Sequence, residues 1–280
     1  MVNIHQKELF PIGLGTWHMG ENKNKKDQEI KALRTGIEYG ATAIDTAEMY
    51  GEGGSELLVG EAIRPFNRED LFLISKVYPW NASKKQLPIS LENSLKRLAT
   101  DYLDLYLLHW TGNVPIEETI EALEEAKKAG KIKAWGVSNF DVKDLKEMYE
   151  KENGQYCQAN QVLYNLGERG IEFDLFPFMK EKQLPLIAYA PIAEGDSLGA
   201  NLTRNKSLQQ IAENHQATIF QILLAWSIRY DQTLAIPQSS NAEHVIENVK
   251  AAGIQLSETE VKQLDEEFPK PTKKQPLAII

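Results

Sequence analysis

Thr42-Ala43-Ile44-Asp45-Thr46-Ala47-Glu48-Met49-Tyr50-Gly51 is the stretch on which the reading of this chain turns. Its first four residues suit a short buried strand, and that strand ends on an acid. Gly51-Glu52-Gly53-Gly54 then makes a turn into the apolar run Leu57-Leu58-Val59, so Asp45 and Tyr50 stand where a strand passes into a helix. The same hand-over recurs in Leu71 to Lys76, a strand ending on a lysine, and in Tyr102 to His109, a strand ending on a histidine. In a parallel barrel the carboxyl ends of the strands share one face, and that face carries the active site. Asp45, Tyr50, Lys76 and His109 are therefore expected to converge.

Working outward, Val2 and Ile4, a polar His5-Gln6-Lys7 turn, and Leu9-Phe10 suggest a hairpin ahead of the first barrel strand, Ile12 to Thr16. A helix is expected over Lys26 to Tyr39, with Ile30, Leu33 and Ile37 at helical spacing and Gly40 as its stop. Leu91, Leu95 and Leu98 mark the next long helix, whose start is ambiguous between Pro88 and a capping box at Ser83 to Gln86. Ile116, Ile120 and Leu123 form the inner stripe of another, ending at Gly130. Ile132 to Ser138 reads as the fifth strand, followed by a helix capped by Asp141. Cys157 to Gln161 reads as the sixth strand, with a helix over 173–182 despite Pro177. Pro185 to Ala190 and Thr233 to Ile236 complete the strands, with helices over 217–229 and from Ala242. The pattern predicts an α/β fold, a (β/α)8 TIM barrel with an N-terminal hairpin, forming one domain over 1–280. Residues 269–276 resist regular structure.

A chain of 280 residues suits one such barrel and is long enough to bury about three quarters of its unfolded surface. A formal charge of −9 argues against nucleic acid or anionic membrane as a main partner. The single cysteine, Cys157, excludes an intrachain disulfide and fits a reducing compartment. With neither a signal-peptide core nor an apolar run of membrane-spanning length, the expectation is a cytoplasmic monomer.

The chain resembles the aldo-keto reductases, in their bacterial short-loop form. The resemblance rests on the Asp45-Thr-Ala-x-x-Tyr50-Gly51 block, Lys76 and His109 at strand ends, Gly136-Val137-Ser138-Asn139-Phe140, Ile236-Pro237-Gln238-Ser239, and Glu247-Asn248. In order and spacing it runs from about Gly13 to Phe268. It implies carbonyl reduction with Tyr50 as general acid, and the chemistry of the residues agrees. A free phenol titrates near pH 10, and a nearby ammonium stabilises its anion. Lys76 would supply that charge, Asp45 would hold Lys76, and His109 would hydrogen-bond the substrate carbonyl. Each residue alone has a structural explanation; their convergence is what argues for a site.

Hydride needs a donor. The five histidines are scattered and Cys157 stands alone, so no metal site is expected. Gly51 to Gly54 lacks the order of a dinucleotide-binding fingerprint. The resemblance implies a nicotinamide, its carboxamide held by Ser138, Asn139 and Gln161 and its ring stacked on Tyr189. Side-chain amides offer a carboxamide both donor and acceptor. Gln238, Ser239, Ser240 and His244 fall where the cofactor phosphates are expected, and Glu247 and Asn248 match an adenine-contacting pair. Gln238 and His244 replace the Lys and Arg of many members, so NADP(H) is expected to remain preferred by a reduced margin, with NAD(H) as second choice. Trp17, Trp80 and Trp110 suggest a pocket for a small carbonyl substrate with an apolar body. The competing reading is a cofactor-binding regulatory subunit with little turnover.

Overall fold

The computed structural model describes residues 1–193 and 202–280. Strands β1 (Val2–Ile4) and β2 (Lys7–Leu9) pair antiparallel, Val2 opposite Leu9. His5 and Gln6 between them are left-handed, as a two-residue hairpin turn requires. Val2, Ile4 and Leu9 are buried in one apolar cluster with Phe72, Ile74, Leu105, Leu107, Ile187 and Leu234. Lys7 Nζ donates to the carbonyls of Glu69 and Leu71, and the Asn3 N–H donates to Gln232 Oε1. The hairpin thus covers the amino ends of the strands that follow and leaves their carboxyl ends free.

Eight parallel strands run in chain order across one curled sheet: β3 (Leu14–Gly15), β4 (Ala43–Asp45), β5 (Phe72–Val77), β6 (Leu103–Leu108), β7 (Ile132–Ser138), β8 (Asn160–Leu163), β9 (Leu186–Tyr189) and β10 (Thr233–Ala235). Between and after them lie α1 (Lys26–Glu38), α2 (Gly54–Ile63), α3 (Leu87–Leu98), α4 (Ile116–Lys128), α5 (Val142–Tyr149), α6 (Leu175–Glu181), α7 (Lys206–Asn214), α8 (Ile219–Ser227), α9 (Ala242–Lys250) and α10 (Glu258–Glu267). Their inner stripes, among them Ile30, Leu33 and Ile37 of α1 and Leu91, Leu95 and Leu98 of α3, are buried in a second core between sheet and helices. The register pairs Gly15 with Asp45, Lys76 with Leu107, Ser138 with Gln161 and Leu163 with Tyr189. The functional candidates on the strands therefore share one rim.

The edges of the sheet meet through two isolated bridges, Ile12 with Ala235 and Gly15 with Gln238, rather than through a continuous ladder. Pro11 and Pro237 lack the N–H that a regular ladder needs, and both serve as acceptors: Ala235 N–H to Pro11 O at 2.9 Å and Gly15 N–H to Pro237 O at 3.0 Å. At Gly15 a β-carbon would stand 2.6 Å from the Ile236 carbonyl oxygen, so only glycine permits this approach.

Most expected elements appear within a residue or two, and the departures have local causes. The sixth strand is Asn160–Leu163, not 157–161, because a single helical turn at Gly154–Tyr156 delays the ladder. Pro88 and Pro177 occupy the first turns of α3 and α6, where an intrahelical N–H bond is not required. Helices α7 and α10 were not anticipated, although Asn205 caps the first and a Ser257–Glu260 capping box opens the second. Residues 269–280 have no regular structure.

Candidate active site

Lys76, at the end of β5, is fully buried. Its Nζ donates to Asp45 Oδ2 at 2.7 Å, to the Thr46 carbonyl at 2.9 Å and to Tyr50 Oη at 3.0 Å. An ammonium has three N–H donors and no acceptor, so all three are engaged. Tyr50 accepts in its bond, which leaves its own O–H proton for another acceptor. The turn that brings the phenol back over Lys76 is a left-handed run, Gly51 (φ 55°), Glu52 (φ 53°) and Gly53 (φ 88°). This explains the glycines that follow Tyr50.

Asp45 is held from both sides. Its Oδ1 accepts from Gln161 Nε2 at 2.7 Å, across the sheet, while Oδ2 faces Lys76. Thr16 Oγ1 donates to the Asp45 carbonyl at 2.9 Å and lies 2.7 Å from Ser55 Oγ on α2. These hydroxyls fasten the end of β4 to the neighbouring strand and helix. His109 follows β6, its main-chain N–H bonded to Val77 O, with its ring edge-on to Tyr50 at 6.0 Å.

Burial sets the charge states here. It pushes the Asp45 carboxyl above its usual range, while the Lys76 ammonium and Gln161 amide pull it back. Burial alone would depress Lys76, but the adjacent Asp45 carboxylate and Tyr50 oxygen more than offset it, and the ammonium is held above the ordinary lysine value. For Tyr50, burial outweighs the opposing influence of Lys76 and raises the phenol. Lys76 stabilises the anion as the residue types suggest, but burial outweighs it and keeps the phenol protonated. His109 is driven down to about 2, first by burial and then by Lys76, so its imidazole is neutral. Its Nδ1 is buried without a hydrogen-bond partner among the described residues.

These groups border a cavity of about 640 Å³. Its wall includes Asp45, Tyr50, His109, Ser138, Asn139, Gln161 and Tyr189, along with Trp17, His18, Met49, Trp110 and Ile192, and Gln238 at its exposed rim. Trp17 stacks on His18 at 4.4 Å and Trp110 tilts against His109 at 4.7 Å. Trp80 is not on the wall. The short turn Pro79–Asn81 carries it outward, where it stacks on Tyr78 at 4.3 Å, meets Trp110 edge-on and remains 62% exposed.

Ser138, Asn139, Gln161 and Tyr189 form one hydrogen-bonded set. Ser138 Oγ donates to the Gln161 carbonyl, Asn139 Nδ2 to the His109 carbonyl and to Ser138 Oγ, and Tyr189 Oη to Asn139 Oδ1. Asn139 adopts φ 58°, a conformation asparagine tolerates better than most residues. The more distal candidates stand apart from the cavity. Ser239 and Asn248 line a separate narrow crevice, with Asn248 buried in α9. Glu247 is partly buried, and its carbonyl accepts from Gln221. Ser240 and exposed His244 flank the start of α9, which Asn241 caps. Among the described residues, no group of His, Cys, Asp or Glu is placed to hold a metal ion. No helix among them is long and apolar enough to cross a membrane.

Residues 11–267 match the model of the aldo/keto reductase family. The chain belongs to that family. It is 46% identical to methylglyoxal reductase YeaE of Escherichia coli K12, over 97% of this chain and 95% of that protein. It is 34% identical to a glyoxal reductase of Bacillus subtilis, over 94% and 91% of the two chains. A crystal structure of an aldo/keto reductase from Klebsiella pneumoniae, in complex with NADP and acetate, is 46% identical and superposes with a TM-score of 0.98, covering 100% of this chain and 99% of that one. The cavity also draws on residues that the sequence reading did not single out: Thr16 behind Asp45, His18 beside Trp17, Ile192, Ile279 and Ile280. His18 was within reach as the neighbour of a strand-end tryptophan. No motif singles out the two isoleucines; the resemblance implied only that a C-terminal segment borders the pocket.

Proposed function

We propose that this protein reduces small aldehydes and ketones to alcohols, reversibly, with a reduced nicotinamide as hydride donor. The observation that carries the proposal is the saturated Lys76. With its three N–H groups committed to Asp45, Thr46 and Tyr50, it fixes the phenol in place and leaves the phenolic proton available to a carbonyl oxygen in the cavity. Tyr50 donates that proton, and the Lys76 ammonium stabilises the phenolate left behind. Asp45 and Gln161 keep the ammonium charged and oriented. Neutral His109 offers the carbonyl oxygen a hydrogen bond without competing for the proton.

The donor set suits a nicotinamide: a hydroxyl and two side-chain amides beside an aromatic ring match the needs of a carboxamide on a flat heterocycle. Ser138, Asn139 and Gln161 would hold the carboxamide and Tyr189 the ring. Gln238, Ser239, Ser240, His244 and the N-terminus of α9 would receive the phosphates, and Glu247 with Asn248 the adenine. The bound reduced nicotinamide supplies the hydride. NADPH is the preferred form, in keeping with the family and with the NADP named for the Klebsiella structure. Methylglyoxal and glyoxal, named for two relatives, are the first substrates to test. Trp17, Met49, Trp110 and Ile192 favour an apolar body on larger ones. We read the sheet as a (β/α)8 barrel closed through the Pro11 and Pro237 edges, in a single domain over 1–280. The single cysteine, buried and free, fits a reducing, cytoplasmic setting, and we read the protein as a monomer. The complete tetrad gives a purely regulatory role no support.

The test is loss of reduced-nicotinamide absorbance with a panel of aldehydes and ketones, dicarbonyls included. Turnover with at least one of them is expected. A clean preparation that binds NADPH but reduces none would overturn the proposal.

A further inference from the structure

Residues 269–280 have no regular structure of their own, yet they reach the cavity. Three contacts carry them there. Arg169 Nη1 bonds Asp265 of α10 at 2.8 Å and also the Phe268 carbonyl. Lys274 Nζ lies 2.5 Å from Asp141 Oδ1 and 2.8 Å from Asp174 Oδ1. Leu277 then packs against the main core. Two residues later, Ile279 and Ile280 line the cavity, as Trp110 and Ile192 do, and are 58% and 44% exposed. Side chains so open gain too little from burial to fix their own position. What locates them is the chain leading in.

Lys274 is the charged member of that lead. Its two partners sit on well-fixed backbone. Asp141 is the N-cap of α5, accepting from the Val142 N–H at 2.7 Å, and lies two residues beyond Asn139. Asp174 immediately precedes α6. Among the described residues, neither carboxylate pairs with any other cation. The adjoining Lys273, exposed and one residue earlier, makes no ion pair among them. One of two neighbouring lysines is thus used, and it bridges two loops on the rim that carries the catalytic residues.

We propose that Lys274 is a positioning residue for substrate selection: its ammonium, forked between Asp141 and Asp174, sets where Ile279 and Ile280 stand on the cavity wall. It thereby controls KM for substrates whose apolar body reaches that wall. The inference rests on the reductase reading, and its test separates the two.

Steady-state kinetics of the full chain with saturating NADPH would compare a short aldehyde, propanal, with a bulky one, phenylacetaldehyde. In Lys274→Met, KM for the bulky substrate is expected to rise about three- to tenfold, the scale of losing two partly exposed ion pairs, with kcat held within about twofold. KM for propanal should change less than about twofold. Lys274→Arg should restore the wild-type value and Lys273→Met should match it. In the Lys274→Met background Asp174→Asn should add nothing. Raising salt from about 0.05 to about 0.5 M should lift the bulky-substrate KM of the wild type but not of Lys274→Met. An unchanged KM in Lys274→Met, an equal shift for both aldehydes, or the same shift in Lys273→Met overturns the inference. If the wild type reduces no carbonyl, the reductase reading falls, and amide exchange over 275–280 still decides the clamp. Faster exchange there in Lys274→Met than in Lys273→Met supports it, and equal exchange overturns it.

Discussion

Replacing Lys76 with methionine keeps much of the side-chain volume and removes the charge around which the site is built. Asp45 would then keep only Gln161 and lose the ammonium 2.7 Å from Oδ2, in a position 2% exposed. Breaking a buried ion pair from one side typically costs about 3–5 kcal/mol, because the remaining charge is left without compensation. The variant lowers that penalty by protonating Asp45, and this makes the loss depend on pH. Burial already raises the Asp45 pKa, with Lys76 as the chief opposing influence, so removing Lys76 raises it further. A carboxyl with a raised folded-state pKa adds stability that is fully present below its unfolded value of about 4 and is lost as pH climbs through the folded value. The gap between wild type and Lys76→Met should therefore widen with pH, by at most about 1.4 kcal/mol per unit for one proton. Urea unfolding followed by tryptophan fluorescence at about pH 5 and about pH 8 measures it. The double variant Asp45→Asn/Lys76→Met, with no unpaired charge, should recover most of the stability. Turnover should stay down by about a hundredfold or more in both, since the phenolate has lost its stabilising donor. A loss below about 1 kcal/mol at both pH values, or one that is constant between them, would refute the argument that burial of this pair governs the site.

Tyr50→Phe keeps the ring and removes the proton, so turnover should fall by about two to four decades while NADPH binding, read by fluorescence titration, survives. Near-wild-type turnover would dismiss Tyr50 as the acid. His109, lowered from 6.5 to about 2, contributes stability that is fully present above pH 6.5 and is lost as pH falls toward 2. His109→Gln should thus lose less stability between about pH 6.5 and about pH 4 than the wild type, and parallel acid limbs in urea unfolding would contradict a buried neutral imidazole. NADPH should exceed NADH in kcat/KM, and Gln238→Lys should widen that preference by about tenfold. Equal use of the two cofactors by the wild type would show that its neutral donors do not recognise the 2′-phosphate.

Much of this protein could be read from local pattern. Strand composition together with an ionisable last residue placed Asp45, Lys76 and His109 at one rim, because in a parallel sheet equivalent strand ends must face the same way. Helical spacing and capping residues located most helices within a residue or two, and glycines after Tyr50 marked a turn that needs left-handed backbone. Such features are written in neighbouring residues, so sequence alone determines them.

Tertiary structure decided the rest. The Gln161–Asp45 hydrogen bond joins residues 116 positions apart, and no local motif links them. Ile279 and Ile280 line the cavity at the end of a segment without regular structure, tied to the body by Lys274 and Leu277. Trp80, four residues beyond Lys76, was carried outward by one short turn whose direction its composition did not reveal. The charge states are the plainest case. Residue types name Lys76 as the stabiliser of the Tyr50 anion, but only the packing shows that burial outweighs it and keeps His109 neutral. Desolvation is a sum over every atom that excludes water from the site. It is fixed by how the whole chain packs, so the sequence names the groups and the fold sets their protons.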